Sequence, residues 1–150
     1  MQLTIFTDTS LRTLMYLGIK ENEIITLNEI STVYDVSINH LKKIAWELNK
    51  SGYIDSVNGR NGGYKLAQSP EYIQIGNIIR KYENLELVTC MKKDGFCALE
   101  PACKLKRALQ EALDAYLNVL DQYTLSDLLT NQDELVEALF SDYKMKAIQH

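Results

Sequence analysis

No cysteine of this 150-residue chain lies outside Cys90–Cys103, and only two histidines, His40 and His150, occur anywhere. No apolar run approaches the roughly 20 residues that cross a bilayer. Met1–Ser10 has neither the basic start nor the apolar stretch of an export signal. Internal repeats and low-complexity segments are missing as well. These absences argue against a membrane protein and against a disulfide-stapled secreted scaffold. The expected setting is the cytoplasm, where thiols stay reduced and an odd cysteine count means metal or redox chemistry. A net charge of −4 argues against an indiscriminate nucleic-acid binder. The balance of 46% hydrophobic and 24% charged residues is that of an ordinary globular chain, long enough to bury a core unaided.

What the chain does have is a cysteine cluster, CMKKDGFCALEPAC, whose three thiols are separated by six and then five residues. The neighbours Lys92, Lys93, Asp94, Gly95, Glu100 and Pro101 describe an exposed loop, not the apolar run in which inert thiols are usually buried. Zinc sites favour cysteine pairs two to four residues apart, so these intervals suit an iron–sulfur cage better. A four-ligand cage lacks one ligand here. His40 belongs to a different part of the chain and His150 is terminal, which leaves a carboxylate as a candidate.

Upstream, the patterning predicts a helix over 8–20, capped by Thr7 or Asp8, and a short extended piece at Ile24–Ile25. A short helix over Leu27–Tyr34, a turn at 35–37 and a helix over Ile38–Ser51 come next, the last capped by Ser37 and stopped by Gly52. Strands over 53–57 and 64–67 flank a glycine-rich tip. Helix, helix and hairpin make a winged helix-turn-helix, and the fold class expected is mainly α. Val36–Ala67 carries five basic and two acidic residues, a locally basic segment in an acidic chain. Helix 38–51 is the expected recognition helix. Ser37, Asn39 and His40 would meet base edges, while Lys42, Lys43 and Arg60 would meet phosphates or the minor groove.

Beyond Pro70 a helix is expected over 73–82, then the cysteine loop. A long helix over 104–123 carries a heptad seam of Leu105, Leu109, Ala112, Tyr116, Val119 and Tyr123. An amphipathic helix over 132–146 ends the chain. The division implied is a DNA-binding unit over 1–82, a cluster-binding loop over 83–103 and a dimerisation element over 104–150. The long helix suits a homodimer, because a helix-turn-helix protein doubles its contacts on a palindromic site.

The stretches MQLTIFTD with Leu11–Arg12, SINHLKK at 37–43, Ser51–Tyr53, GRNGGYKL at 59–66 and PACKLKRAL at 101–109 carry a family resemblance. The chain resembles the nitric-oxide-sensing NsrR repressors, which belong with IscR to one superfamily of winged-helix iron–sulfur regulators. The resemblance implies a non-enzymatic, homodimeric repressor of an inverted-repeat operator on double-stranded DNA. It implies a 4Fe–4S cluster on Cys90, Cys97 and Cys103, completed by Asp8 of the partner subunit, with Arg12 one turn on to orient that carboxylate. Nitric oxide would attack the cluster and operator binding would be lost. The alternative within the superfamily is a 2Fe–2S protein with another signal, iron–sulfur status or oxygen. That type uses a histidine three residues after the last cysteine, where this chain has Lys106. An electron-transfer protein would leave the basic wing without a role.

Overall fold

The computed structural model describes residues 2–100 and 102–148, so that Met1, Pro101, Gln149 and His150 lie outside the described residues. Among the described residues, six helices and one hairpin follow in the order α1 (Ile5–Ile19), α2 (Leu27–Tyr34), α3 (Ile38–Lys50), β1 (Ile54–Val57), β2 (Gly63–Leu66), α4 (Ile75–Tyr82), α5 (Lys104–Leu120) and α6 (Gln132–Ile148). Single 3-10 turns stand at Pro70–Tyr72, Thr89–Met91 and Asp127–Leu129. The chain is mainly α-helical with a hairpin wing, as its patterning predicts.

The first helix starts earlier than expected. Thr4, not Thr7 or Asp8, is its N-cap: the Thr4 hydroxyl accepts from the Thr7 backbone N–H at 3.2 Å. The cap moves because Thr4 is tied from outside the helix. Its N–H and hydroxyl both donate to Glu83, at 2.8 and 2.9 Å. Asp8 is therefore released from capping and sits within the first helical turns.

Helix α2 falls where its apolar spacing places it and ends on Asp35 in the left-handed region, φ 53°. Helix α3 buries Leu41, Ile44, Ala45 and Leu48 against α1 and α2. Ser37 holds the N-cap position of α3, but its side chain makes no capping bond. The wing pairs antiparallel from Ile54↔Leu66 to Val57↔Gly63. At its tip a Cβ on Gly62 would stand 2.3 Å from the Val57 carbonyl oxygen, so only glycine lets the chain turn back that tightly. Ile25 bridges to Tyr64 and anchors the wing to the connection before α2.

The main core joins α1, α2, α3 and β1 through Leu14, Leu17, Ile25, Ile30, Leu41, Ile44, Leu48 and Ile54. A second cluster joins α4 to α5 through Ile75, Ile79, Leu113 and Leu117. Arg80 holds Asp121 at the end of α5 with both guanidinium nitrogens, one of them at 2.6 Å. That hydrogen-bonded pairing pushes the Asp121 carboxyl down.

Helix α5 stops at Leu120, short of the predicted 123, so Tyr123 follows the helix instead of closing its seam. Leu105 and Val119 on that seam remain 65% and 53% exposed, while Leu113 and Leu117 on another side are buried. Helix α6 returns to the DNA-binding unit: Gln132 donates to the Ile19 carbonyl at 2.9 Å, and Leu139 packs on the main core. Among the described residues, no helix is long and apolar enough to cross a membrane.

Candidate DNA-reading face and cluster site

The outward side of α3 presents Asn39, Lys42 and Lys43 to solvent, opposite the four buried residues that fix the helix. Ser37 is also exposed, just ahead of the first turn. Arg60 is exposed at the wing tip, between Val57 and Gly63 where the strands end. Most of the predicted reading residues therefore point to solvent from the helix or from the wing. His40 is the exception. It is half-buried, its Nε2 is shielded from solvent without a hydrogen-bond partner, and its ring meets the edge of Phe6 at 6.2 Å between centroids. Phe6 also stacks edge-on with Tyr82 at 5.2 Å, so an aromatic group joins the starts of α1 and α3 to the end of α4.

The cysteines lie on the segment between α4 and α5. All three are free thiols and half-buried. Cys90 sits in the 3-10 turn Thr89–Met91, and the chain then closes on itself through Gly95 N–H to the Lys92 carbonyl at 2.9 Å. A Cβ on Gly95 would stand 2.2 Å from the Thr89 carbonyl oxygen and 3.0 Å from Cys90 Cα, so glycine is what lets the loop fold over Cys90. The Glu100 N–H donates to the Cys97 carbonyl at 3.1 Å. Cys103 is the N-cap residue of α5, at the start of a 17-residue helix.

Both ends of this segment are held. At its start stands Glu83, a residue the sequence reading passed over. Burial pushes its carboxyl up, but hydrogen bonds from Thr7 and Thr4 outweigh burial and hold it below the usual glutamate range. At its end Lys106 of α5 pairs with Glu100. That hydrogen bond pushes the Lys106 ammonium up, and the sulfurs of Cys90 and Cys97 act in the same direction. A groove of about 640 Å³ lined by Glu100, Cys103, Lys106, Arg107, Gln110 and Glu111 opens beside the last cysteine.

Asp8 is half-buried and receives Arg12 Nε at 3.1 Å, one helical turn on. Both side chains are about half exposed, at 47% and 51%. Among the described residues, no three of His, Cys, Asp and Glu are gathered closely enough to hold a metal ion. The donor chemistry nonetheless fits an iron–sulfur group. The loop offers three unpaired soft sulfurs and no competing disulfide.

Residues 3–131 match the profile of the Rrf2 family, described as iron-dependent transcriptional regulators. The chain belongs to the Rrf2 family. The HTH-type transcriptional regulator NsrR of Halalkalibacterium halodurans is 51% identical over 138 residues, covering 90% of this chain and 94% of its own. The regulator of the same name from Geobacillus kaustophilus is 47% identical over 138 residues, covering 90% and 94%. Among solved structures, CymR, the global cysteine regulator of B. subtilis, matches with a TM-score of 0.72 and 28% identity, over 87% of this chain and 98% of its own. T. potens IscR matches at 0.71 and 25%, over 90% of each chain. Like other Rrf2 regulators, this protein is a DNA-binding transcriptional regulator and not an enzyme. Family membership implies an iron–sulfur cluster as its resident group.

Proposed function

We propose that this Rrf2 regulator is a homodimeric repressor that releases its operator when nitric oxide reaches a 4Fe–4S cluster. Cys90, Cys97 and Cys103 would hold the cluster, Asp8 of the partner subunit would complete it, and Arg12 would orient that carboxylate. The observation that carries the reading is the way the free-thiol loop is tied to the DNA-binding unit. Glu83 binds its start to the cap of α1, and α5 packs its end against α4. A change in the loop can therefore bear on the first turn of α1, which meets α3 through Phe6 and His40.

The cluster, when bound, supplies iron that can react with a small diatomic ligand. The protein's own residues do the rest. The thiols anchor the cluster, Lys106 offsets its charge, and the exposed seam of α5 supplies the dimer contact. Lys106 also favours the four-iron form over the two-iron alternative. A protonated ammonium paired with Glu100 offers no lone pair where the 2Fe–2S type places a histidine. Residues 1–82 serve DNA binding, 83–103 hold the cluster, and α5 carries dimerisation, with α6 returning to α1.

Protein isolated without oxygen is expected to carry about four irons per chain, the stoichiometry of one such cage. Stepwise addition of nitric oxide should change its visible absorption and abolish operator binding in parallel. A spectrum that changes while operator affinity stays constant would sink the sensing role, and two irons per chain would favour the alternative cluster.

For the reading face, Arg60→Ala should weaken operator binding by about 1–3 kcal/mol if it reads a base or a narrow minor groove. Lys43→Ala should weaken all duplexes alike and lower the salt slope by about one unit. Titrations over a range of salt check both, and two unchanged affinities would move the reading face elsewhere.

A further inference from the structure

Trp46 is the single tryptophan of the chain, and it stands 61% exposed. It lies on the outward side of α3, in line with Asn39, Lys42, Lys43 and Lys50 at helical spacings of three and four. The ring helps to wall an open groove of about 410 Å³, shared with Phe6, Lys42, Lys43 and Glu47. The Lys50 ammonium stands over the ring, 4.8 Å from its centroid, which steadies the indole.

We infer that this groove is a seat for the DNA backbone and that Trp46 is its contact residue, the indole N–H donating to a phosphate oxygen while the ring lies against the sugar. The inference rests on α3 being the recognition helix. Two lysines, Lys42 and Lys43, line the groove with one acid, Glu47, and Lys50 stands over the Trp46 ring, so the charge around the groove complements a polyanion. Trp46 stands nine residues past the N-cap, about 13 Å along the helix axis. The major groove is about 8.5 Å deep, so a helix that enters by its first turn has passed the groove's rim at that distance, where phosphates and not base edges are met. An indole N–H only donates and a phosphate oxygen only accepts. The other wall is Phe6, two residues before Asp8, so the width of the seat depends on where the first turn of α1 stands.

The test uses the anaerobic, cluster-loaded dimer, with a duplex selected from genomic fragments by the wild-type protein and an unrelated duplex of the same length. Trp46→Ala should weaken both by about ten-fold, the scale of a lost hydrogen bond to a charged group. The slope of log affinity against log salt should not change, because a neutral donor releases no counterion. Trp46→Phe keeps a ring without the N–H and should recover only part of the loss. Acrylamide quenching of the wild-type tryptophan should fall when either duplex is added. Unchanged affinity of Trp46→Ala with unchanged quenching overturns the seat. If Lys43→Ala still weakens binding in the same series, α3 remains the recognition helix and only the role of Trp46 falls. If Lys43→Ala is silent too, the recognition helix itself is misassigned. A Trp46→Ala protein that elutes as a monomer would assign the ring to a protein contact and would also overturn the inference.

Discussion

Replacing any one of Cys90, Cys97 and Cys103 by Ala is expected to strip the protein of its cluster and of operator binding while leaving the fold intact. The fold should survive because none of the three belongs to either hydrophobic cluster, and all are half-buried in the loop between α4 and α5. Truncating such a side chain away from the core costs about 1 kcal/mol or less. The loss of function should be far larger. An incomplete set of sulfurs cannot close the cage, and affinity should fall toward the non-specific level, about a thousand-fold or more below operator binding. Iron content, far-UV circular dichroism and an anaerobic gel shift measure the three consequences separately. A variant that keeps full colour and full iron would remove its cysteine from the site.

The second large effect is expected at Asp8, where the structure removes the ordinary explanation. Thr4 caps α1, so Asp8 has no capping duty to lose. What remains locally is a favourable charge near a helix start and an ion pair to Arg12, each about half exposed and together worth roughly 1 kcal/mol or less. If that were all, Asp8→Asn would leave operator affinity untouched. As the proposed ligand to the cluster of the partner subunit, Asp8 would do more, and Asn would replace an anionic oxygen by a weaker neutral one. Anaerobic, cluster-loaded Asp8→Asn is therefore expected to bind its operator at least about ten-fold more weakly, as loss of a charged link typically costs. Its thermal midpoint should move little. Arg12→Ala should follow in milder form, because it removes the group that orients the carboxylate. Asp8→Cys, if the shorter side chain reaches, should keep the cluster and slow its reaction with nitric oxide. Asp8→Asn and Asp8→Ala that both bind like wild type would place the fourth ligand elsewhere.

Much of the DNA-binding unit was legible in the chain because its signals are local. Leu27, Ile30 and Val33 mark α2, Leu41, Ile44, Ala45 and Leu48 mark the buried side of α3, and Gly62 marks the tip of the wing. Each is a matter of spacing or of one backbone conformation, which a sequence displays directly. The three cysteines were equally plain, since thiols confined to one short segment are read off composition.

Tertiary structure decided what depends on residues far apart in the chain. The start of α1 was misplaced because Thr4 is chosen as cap partly by Glu83, 79 residues away, and no periodicity announces such a bond. The two-sidedness of α5 was hidden for a related reason. Leu113 and Leu117 are as apolar as the seam beside them, and only the packing of α4 determines that they are buried, with Tyr116 against them, while Leu105 and Val119 stay exposed. In the sequence Lys106 stands only where a histidine ligand would be, and the fold pairs it with Glu100. His40 looked like a free base reader until the fold packed its ring against Phe6 and shielded Nε2 from solvent. Spacing fixes which side of a helix a residue takes, but the neighbour it meets there is set by the packing of elements whose contact the sequence order does not contain.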